Sequence, residues 1–125
     1  MNQKVLVVDD SSLSRRTLRR VLGSAGLSVI DAQDGITALE LYFLEKPDAV
    51  FLDLTMQGMG GLDVLTKLKE MDPTVRVIIA SADIQSTTRE LVREFGAKAF
   101  INKPFASEIV ISTVRAVLEG AETCI

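Results

Sequence analysis

Histidine and tryptophan are absent from these 125 residues, cysteine occurs once and proline three times. The missing imidazole carries the largest consequence, because it is the usual general acid or base near neutral pH and the commonest transition-metal ligand. A histidine-based triad and a histidine-ligated zinc site are therefore excluded. The single thiol, Cys124, makes neither an internal disulfide nor a cysteine-rich metal site, which fits a reducing compartment. The first residues lack the basic region, long apolar stretch and small-residue cleavage site of a signal peptide, and no apolar run approaches the roughly 20 residues a membrane span needs. These absences predict a soluble cytoplasmic protein without a membrane partner. A basic surplus is missing too: 14 Lys and Arg stand against 17 Asp and Glu, a net charge of −3. Direct nucleic-acid binding, which rests on such a surplus, is not expected.

What the chain does have is apolar residues, 47% of the total, enough for the core of one domain. They fall in short runs rich in Val, Ile, Leu and Phe: Lys4 to Val8, Ser28 to Ala32, Ala49 to Leu54, Val75 to Ala80 and Ala97 to Ile101. Each reads as a strand; the second and fifth are the least apolar and belong nearer the sheet edges. Between them the spacing turns helical. Leu18, Val21, Leu22 and Ala25 share one face, as do Ile36, Leu39 and Phe43, and then Leu62, Leu65 and Leu68. A fourth set, Ile84, Thr88, Leu91, Val92 and Phe95, ends at Gly96, and a fifth holds Val110, Ile111, Val114, Val117 and Leu118. Strands that are continuously apolar are covered on both faces, and their alternation with helices implies right-handed crossovers. The fold class is α/β: a three-layer, doubly wound, five-stranded parallel sheet over residues 1–119, with a short frayed tail at 120–125.

In such a sheet ligands bind beyond the carboxyl ends of the strands. There the sequence places Asp9 and Asp10, Asp53, Ser81, and the run Asn102-Lys103-Pro104. Taken singly, these have ordinary explanations. Asp9, Asp10, Ser11 or Ser12 can cap the following helix, Ser81 can be a turn residue, and Lys103-Pro104 can end a strand. Asp53 inside VFLDL is harder to explain, because a charge in a buried strand costs several kcal/mol, in order of magnitude, unless partnered. Three carboxylates in one crevice need protons or a cation between them; a hard divalent cation is the economical answer, and oxygen ligands without His or Cys point to Mg2+. With Lys103 as a second positive charge and Ser81 as a hydroxyl donor, the set suits a phosphoryl group, and Asp53 is the natural acceptor of an aspartyl phosphate.

From VLVVDDS through VFLDLTM and VIIASA to FINKP, the chain resembles response-regulator receiver domains, the phospho-accepting half of two-component signalling. The resemblance implies the flavodoxin-like strand order 2-1-3-4-5, which periodicity alone does not give. It also implies that Asp53 is phosphorylated, Asp10 binds Mg2+ directly, Asp9 does so through water, and Thr55 adds a backbone carbonyl. Ser81 and Phe100 match the switch residues, Lys103 the site lysine, and the Lys103-Pro104 bond is expected to be cis. The partners it implies are a histidine kinase or histidine phosphotransfer protein and a downstream protein target. The chain itself would be a monomer or a weak phosphorylation-dependent dimer, and no enzyme beyond self-phosphorylation and slow self-dephosphorylation.

Several positions depart from the family pattern. Met56-Gln57-Gly58-Met59-Gly60-Gly61 lacks the usual proline and acid, so a looser loop is expected. Thr55 and Asp83 flank the site where the family tunes phosphoryl hydrolysis. Arg15, Arg16, Arg19 and Arg20 form either a solvated basic face or a kinase-docking face, and Ile109 is either an isolated apolar residue or part of an output surface. No output domain is expected after the last helix, so the response is expected to travel by binding. A relay intermediate is the nearest alternative. An Asp-nucleophile phosphatase would need Asp-x-Asp after strand 1, whereas the acceptor run Asp53-Leu54-Thr55 of the third strand offers no second acid at that spacing, and a flavin carrier would need a Ser/Thr/Gly phosphate loop where Asp9 and Asp10 stand.

Overall fold

The computed structural model describes residues 3–54, 56, 58–82 and 86–120. The apolar runs form β1 (Lys4–Val8), β2 (Ser28–Ala32), β3 (Ala49–Asp53), β4 (Val77–Ser81) and β5 (Ala99–Asn102). They make one sheet in the order β2-β1-β3-β4-β5, and every neighbouring pair is parallel. The two less apolar strands stand at the edges, as expected. The alternating helices are α1 (Ser12–Ser24), α2 (Gly35–Glu45), α3 (Gly61–Met71), α4 (Ser86–Glu94) and α5 (Ser107–Leu118).

Side chains of successive strand residues point to opposite faces, and here both faces are dry. Val5, Val7, Phe51 and Ile78 pack with Leu18, Leu22, Val110 and Val114 of α1 and α5. Leu6, Val8, Leu52 and Ile79 pack with Tyr42, Leu65, Leu68 and Val92 of α2, α3 and α4. Burying each such aliphatic side chain stabilises the fold by about 1.5–3 kcal/mol. At the helix starts, Ser11 Oγ accepts from the Ser14 amide at 3.2 Å and Asp34 Oδ1 from the Thr37 amide at 2.8 Å. Of the four candidates to cap α1, the hydroxyl of Ser11 takes the role.

Three strands differ from the apolar runs at their boundaries. The Val75 amide bonds to Asp72 O and the Ala97 amide to Val92 O, so both residues belong to turns that close the preceding helix. Their apolarity serves packing, not pairing, and β4 and β5 start two residues later and run on through Ser81 and Asn102. β3 ends at Asp53, one residue before Leu54.

α2 corrects its predicted face. Ile36 and Phe43 are 62% and 69% exposed, and the buried stripe is Gly35, Ala38 and Tyr42, one residue back. The reason is close approach: a Cβ at Gly35 would lie 2.8 Å from Val64 Cγ2, so the helix meets α3 with its smallest residues inward. Tyr42 then reaches past α3, and its hydroxyl donates to Asp72 Oδ2 at 2.7 Å. In α4, Val92 is fully buried while Leu91 and Phe95 are exposed and Thr88 is half-buried, so the predicted face narrows; Ile84 lies outside the described residues. α1, α3 and α5 bury the faces expected of them, with Leu62 and Ile111 half-buried and Ala25 at the end of α1. Ile109 is exposed. Among the described residues no helix is long and apolar enough to cross a membrane. The tail at 121–125, with Cys124, lies outside the described residues.

Candidate functional site

The sheet order brings the carboxyl ends of β1 and β3 side by side, and Asp9 follows β1 directly while Asp53 ends β3. Asp9 and Asp53 are buried and Asp10 is exposed, and each offers a carboxylate oxygen within 4.8 Å of the other two. Ser81 ends β4, buried, one step beyond Ala80, the register partner of Asp53. The Lys103 amide donates to Ser81 O at 2.9 Å, which carries the chain from β5 across the same edge.

Two buried carboxylates are tolerable only with partners. Asp9 Oδ1 accepts from the Ser11 amide at 2.9 Å, and Asp9 Oδ2 accepts from Lys103 Nζ at 2.9 Å. The same ammonium stands 3.2 Å from Asp53 Oδ1. Burial alone would lower the lysine's pKa, but the hydrogen bond and charge of Asp9, joined by Asp53, outweigh it and hold the ammonium above its ordinary value. Lys103 is therefore a fixed positive charge. The Lys103-Pro104 peptide is cis.

Three further residues complete the site: Phe105, which the sequence does not single out, and Arg15 and Gly61, which it singles out for other reasons. Phe105 lies with its ring 5.8 Å from Lys103 Nζ and packs edge-on against Phe51 at 5.6 Å, giving the ammonium an aromatic wall. Arg15 Nη1 donates to the Asp9 carbonyl at 2.7 Å. Gly61 is wedged under the acceptor strand: a Cβ there would lie 2.6 Å from Asp53 O and from Leu54 Cα, and its amide bonds Leu54 O at 3.0 Å. The glycine run is the sequence signal for this last contact, and at Gly61 it serves close approach, not the looseness expected of the loop. Gly58 and Gly60 do have open space.

Phe100 is half-buried on β5, with the Arg89 guanidinium 5.3 Å over its ring. The four arginines of α1 divide into two stripes. Arg15 and Arg19 pair with Asp31 on β2, at 3.5 and 3.0 Å, and Arg16, Arg19 and Arg20 are all exposed. Thr55, the expected carbonyl ligand, lies outside the described residues, as do Gln57 and Asp83.

Chemically, the edge offers an all-oxygen donor set with a formal charge of three carboxylates against one ammonium. That composition suits a hard divalent cation and disfavours a softer metal. Lys103 and Ser81 add a cation and a hydroxyl beside Asp53.

The comparisons agree with this arrangement. The family model described as the response regulator receiver domain matches residues 5–115. The chain is 37% identical over 118 residues to the response regulator MprA of Mycobacterium sp. (strain KMS), covering 94% of this chain and 51% of that relative. It thus spans about half the length of that relative. Sporulation initiation phosphotransferase F of Bacillus subtilis (strain 168) is 34% identical over 115 residues, which cover 92% of this chain and 93% of the relative. The solved structure of the Vibrio cholerae chemotaxis protein CheY4 superposes with a TM-score of 0.90 at 25% identity, over 94% of this chain and 99% of the other. With the strand order, the acidic edge and the family match in agreement, this chain belongs to the response regulator receiver domains of two-component signalling.

Proposed function

We propose that the chain accepts a phosphoryl group on Asp53 from a phosphohistidine of a histidine kinase or histidine phosphotransfer protein. The observation that carries this reading is Lys103: its ammonium is fixed between Asp9 and Asp53, at 2.9 and 3.2 Å, beside the buried Ser81. A carboxylate oxygen of Asp53 attacks phosphorus, the phosphorus–nitrogen bond breaks, and its electron pair stays on the donor's imidazole. Lys103 holds positive charge where the phosphoryl oxygens gather negative charge. Mg2+, held by Asp9, Asp10 and Asp53, would supply the remaining charge neutralisation at those oxygens. Asp9 is kept in place for that role by the Ser11 amide.

Once phosphorylated, Asp53 draws the Ser81 hydroxyl toward a phosphoryl oxygen, and Phe100 repacks into the space released. The result is a shift between two packings of α4, β5 and α5 that a downstream protein reads. The chain turns over no substrate besides its own phosphoryl group, and works in the cytoplasm as a monomer or weak phosphorylation-dependent dimer. Passing the group onward in a relay is the second reading, favoured by the likeness to phosphotransferase F over nearly the whole of both chains.

Acetyl phosphate with Mg2+ tests the acceptor. The wild-type chain should gain one acid-stable, base-labile phosphoryl group and Asp53→Ala none. Equal labelling of the two would overturn the assignment.

A further inference from the structure

The site and its output face are joined at one place where an arginine does more than sit on a surface. Arg89 lies on α4, and its guanidinium covers the Phe100 ring of β5 at 5.3 Å. Its Nη2 donates to Asn102 Oδ1 at 3.3 Å, on the strand residue two places beyond the ring. Its Nε is buried and donates to nothing among the described residues. A buried donor left without an acceptor is unfavourable, so other contacts must hold the group there. The contact with the aromatic face and the bond to Asn102 are the ones the structure shows. Phe100 is thus held between the core of α2, α3 and α4 on one side and a cation of α4 on the other.

We infer that Arg89 is a positioning residue that ties the Phe100 ring to α4, so that movement of the ring displaces the helix. The inference rests on the proposed role of Phe100 as a switch and deepens it. If the ring shifts while the guanidinium stays on its face and on Asn102, α4 must follow. Without the guanidinium, the ring moves alone. A cation–π contact in this setting is worth about a twofold to thirtyfold factor in an equilibrium constant, enough to decide whether α4 moves with the ring.

The test is backbone amide NMR of the intact chain, with and without beryllofluoride and Mg2+, for wild type, Arg89→Met, Arg89→Lys, Phe100→Leu and the double variant Arg89→Met/Phe100→Leu. The wild type should show shifts around Asp53 and Ser81 and also along α4. Arg89→Met should keep the shifts at Asp53 and Ser81 and lose most of those in α4. Arg89→Lys, which keeps a cation for the ring, should recover part of them, and in the Phe100→Leu background Arg89→Met should change nothing further. A purely structural arginine would lower the melting temperature and leave the α4 response at its wild-type size, which would overturn the inference. So would an Arg89→Met effect that persists undiminished without the Phe100 ring. Should Arg89→Met not fold, the comparison of wild type with Arg89→Lys and Phe100→Leu decides: an unchanged α4 response in both counts against. A wild type with no response at Asp53 would instead overturn the acceptor reading and this inference with it.

Discussion

The inner lengths of β1, β3 and β4 and their carboxyl tips lie a few ångströms apart along the same strands but follow opposite rules. Inside, Val5 to Val8, Ala49 to Leu52 and Val77 to Ala80 are apolar and shut off from water on both faces. At the tips, Asp9, Asp53 and Ser81 are buried just as deeply but are polar. The inner residues gain from burial, whereas the tip carboxylates lose hydration and are tolerated through Lys103, the Ser11 amide and their other contacts. The comparison teaches that burial alone does not mark a core: a buried group that costs stability is there for chemistry.

The sharpest break in that comparison comes from neighbours on β3. Asp53→Ala should abolish labelling by acetyl phosphate while costing no more than about 1 kcal/mol in urea unfolding, since Lys103 keeps Asp9. Leu52→Ala, one residue earlier, should do the reverse, losing about 2–5 kcal/mol as a cavity opens in the core. If the two showed the same balance of activity and stability loss, the division would fail.

Gly61→Ala comes next. Its methyl would press on the Asp53 and Leu54 backbone, so strand and loop must part, at about 1–3 kcal/mol, with slower labelling as well. A variant as stable as wild type would show that the wedge is not tight. Tyr42→Phe removes the hydrogen bond to Asp72 far from the site and should cost about 0.5–1.5 kcal/mol with labelling unaltered.

The smallest effect is in pH. Lys103 and Tyr42 both hold their protons more tightly when folded. For the phenol the cause is burial first, then the Asp72 carboxylate that accepts its hydrogen bond. A raised folded pKa gives stability that is complete below the unfolded value, about 10 for either group, and is lost as pH rises through the folded one. Thermal melts should therefore decline above about pH 10, less steeply in Lys103→Met and in Tyr42→Phe. Asp72 acts at the other end. Hydrogen bonds from Thr74, then Tyr42, hold its carboxyl below the usual range, so its contribution is present above about pH 4 and fades as acid protonates it.

Much of this was legible beforehand. Uninterrupted runs such as VLVV and AVFL admit hardly any reading but a strand buried on both sides, and polar residues at the ends of such runs draw attention to one sheet edge. The face of α2 was not legible, because Ile36, Ala38, Leu39, Leu41, Tyr42, Phe43 and Leu44 wrap the helix almost all round and periodicity has no phase to offer. What chose the phase was room for Gly35 against Val64, a property of another helix. The starts of β4 and β5 were misplaced because Val75 and Ala97 are as apolar as strand residues while serving turns. The ion pair between Asp9 and Lys103 spans 94 positions of sequence, and nothing local in either segment announces it except the likeness to a known family.

That span has a thermodynamic consequence. The site is assembled from β1, β3, β4 and the segment after β5, so no short contiguous fragment of the chain contains it, and it disappears whenever β1 or the segment after β5 comes away. Any ion or phosphoryl mimic that occupies it thus binds the folded chain and not the unfolded one. Its free energy of binding is added to the stability of the whole domain, growing with the logarithm of its concentration once the site is filled. The melting temperature becomes a gauge of occupancy, readable without any knowledge of what the chain signals to.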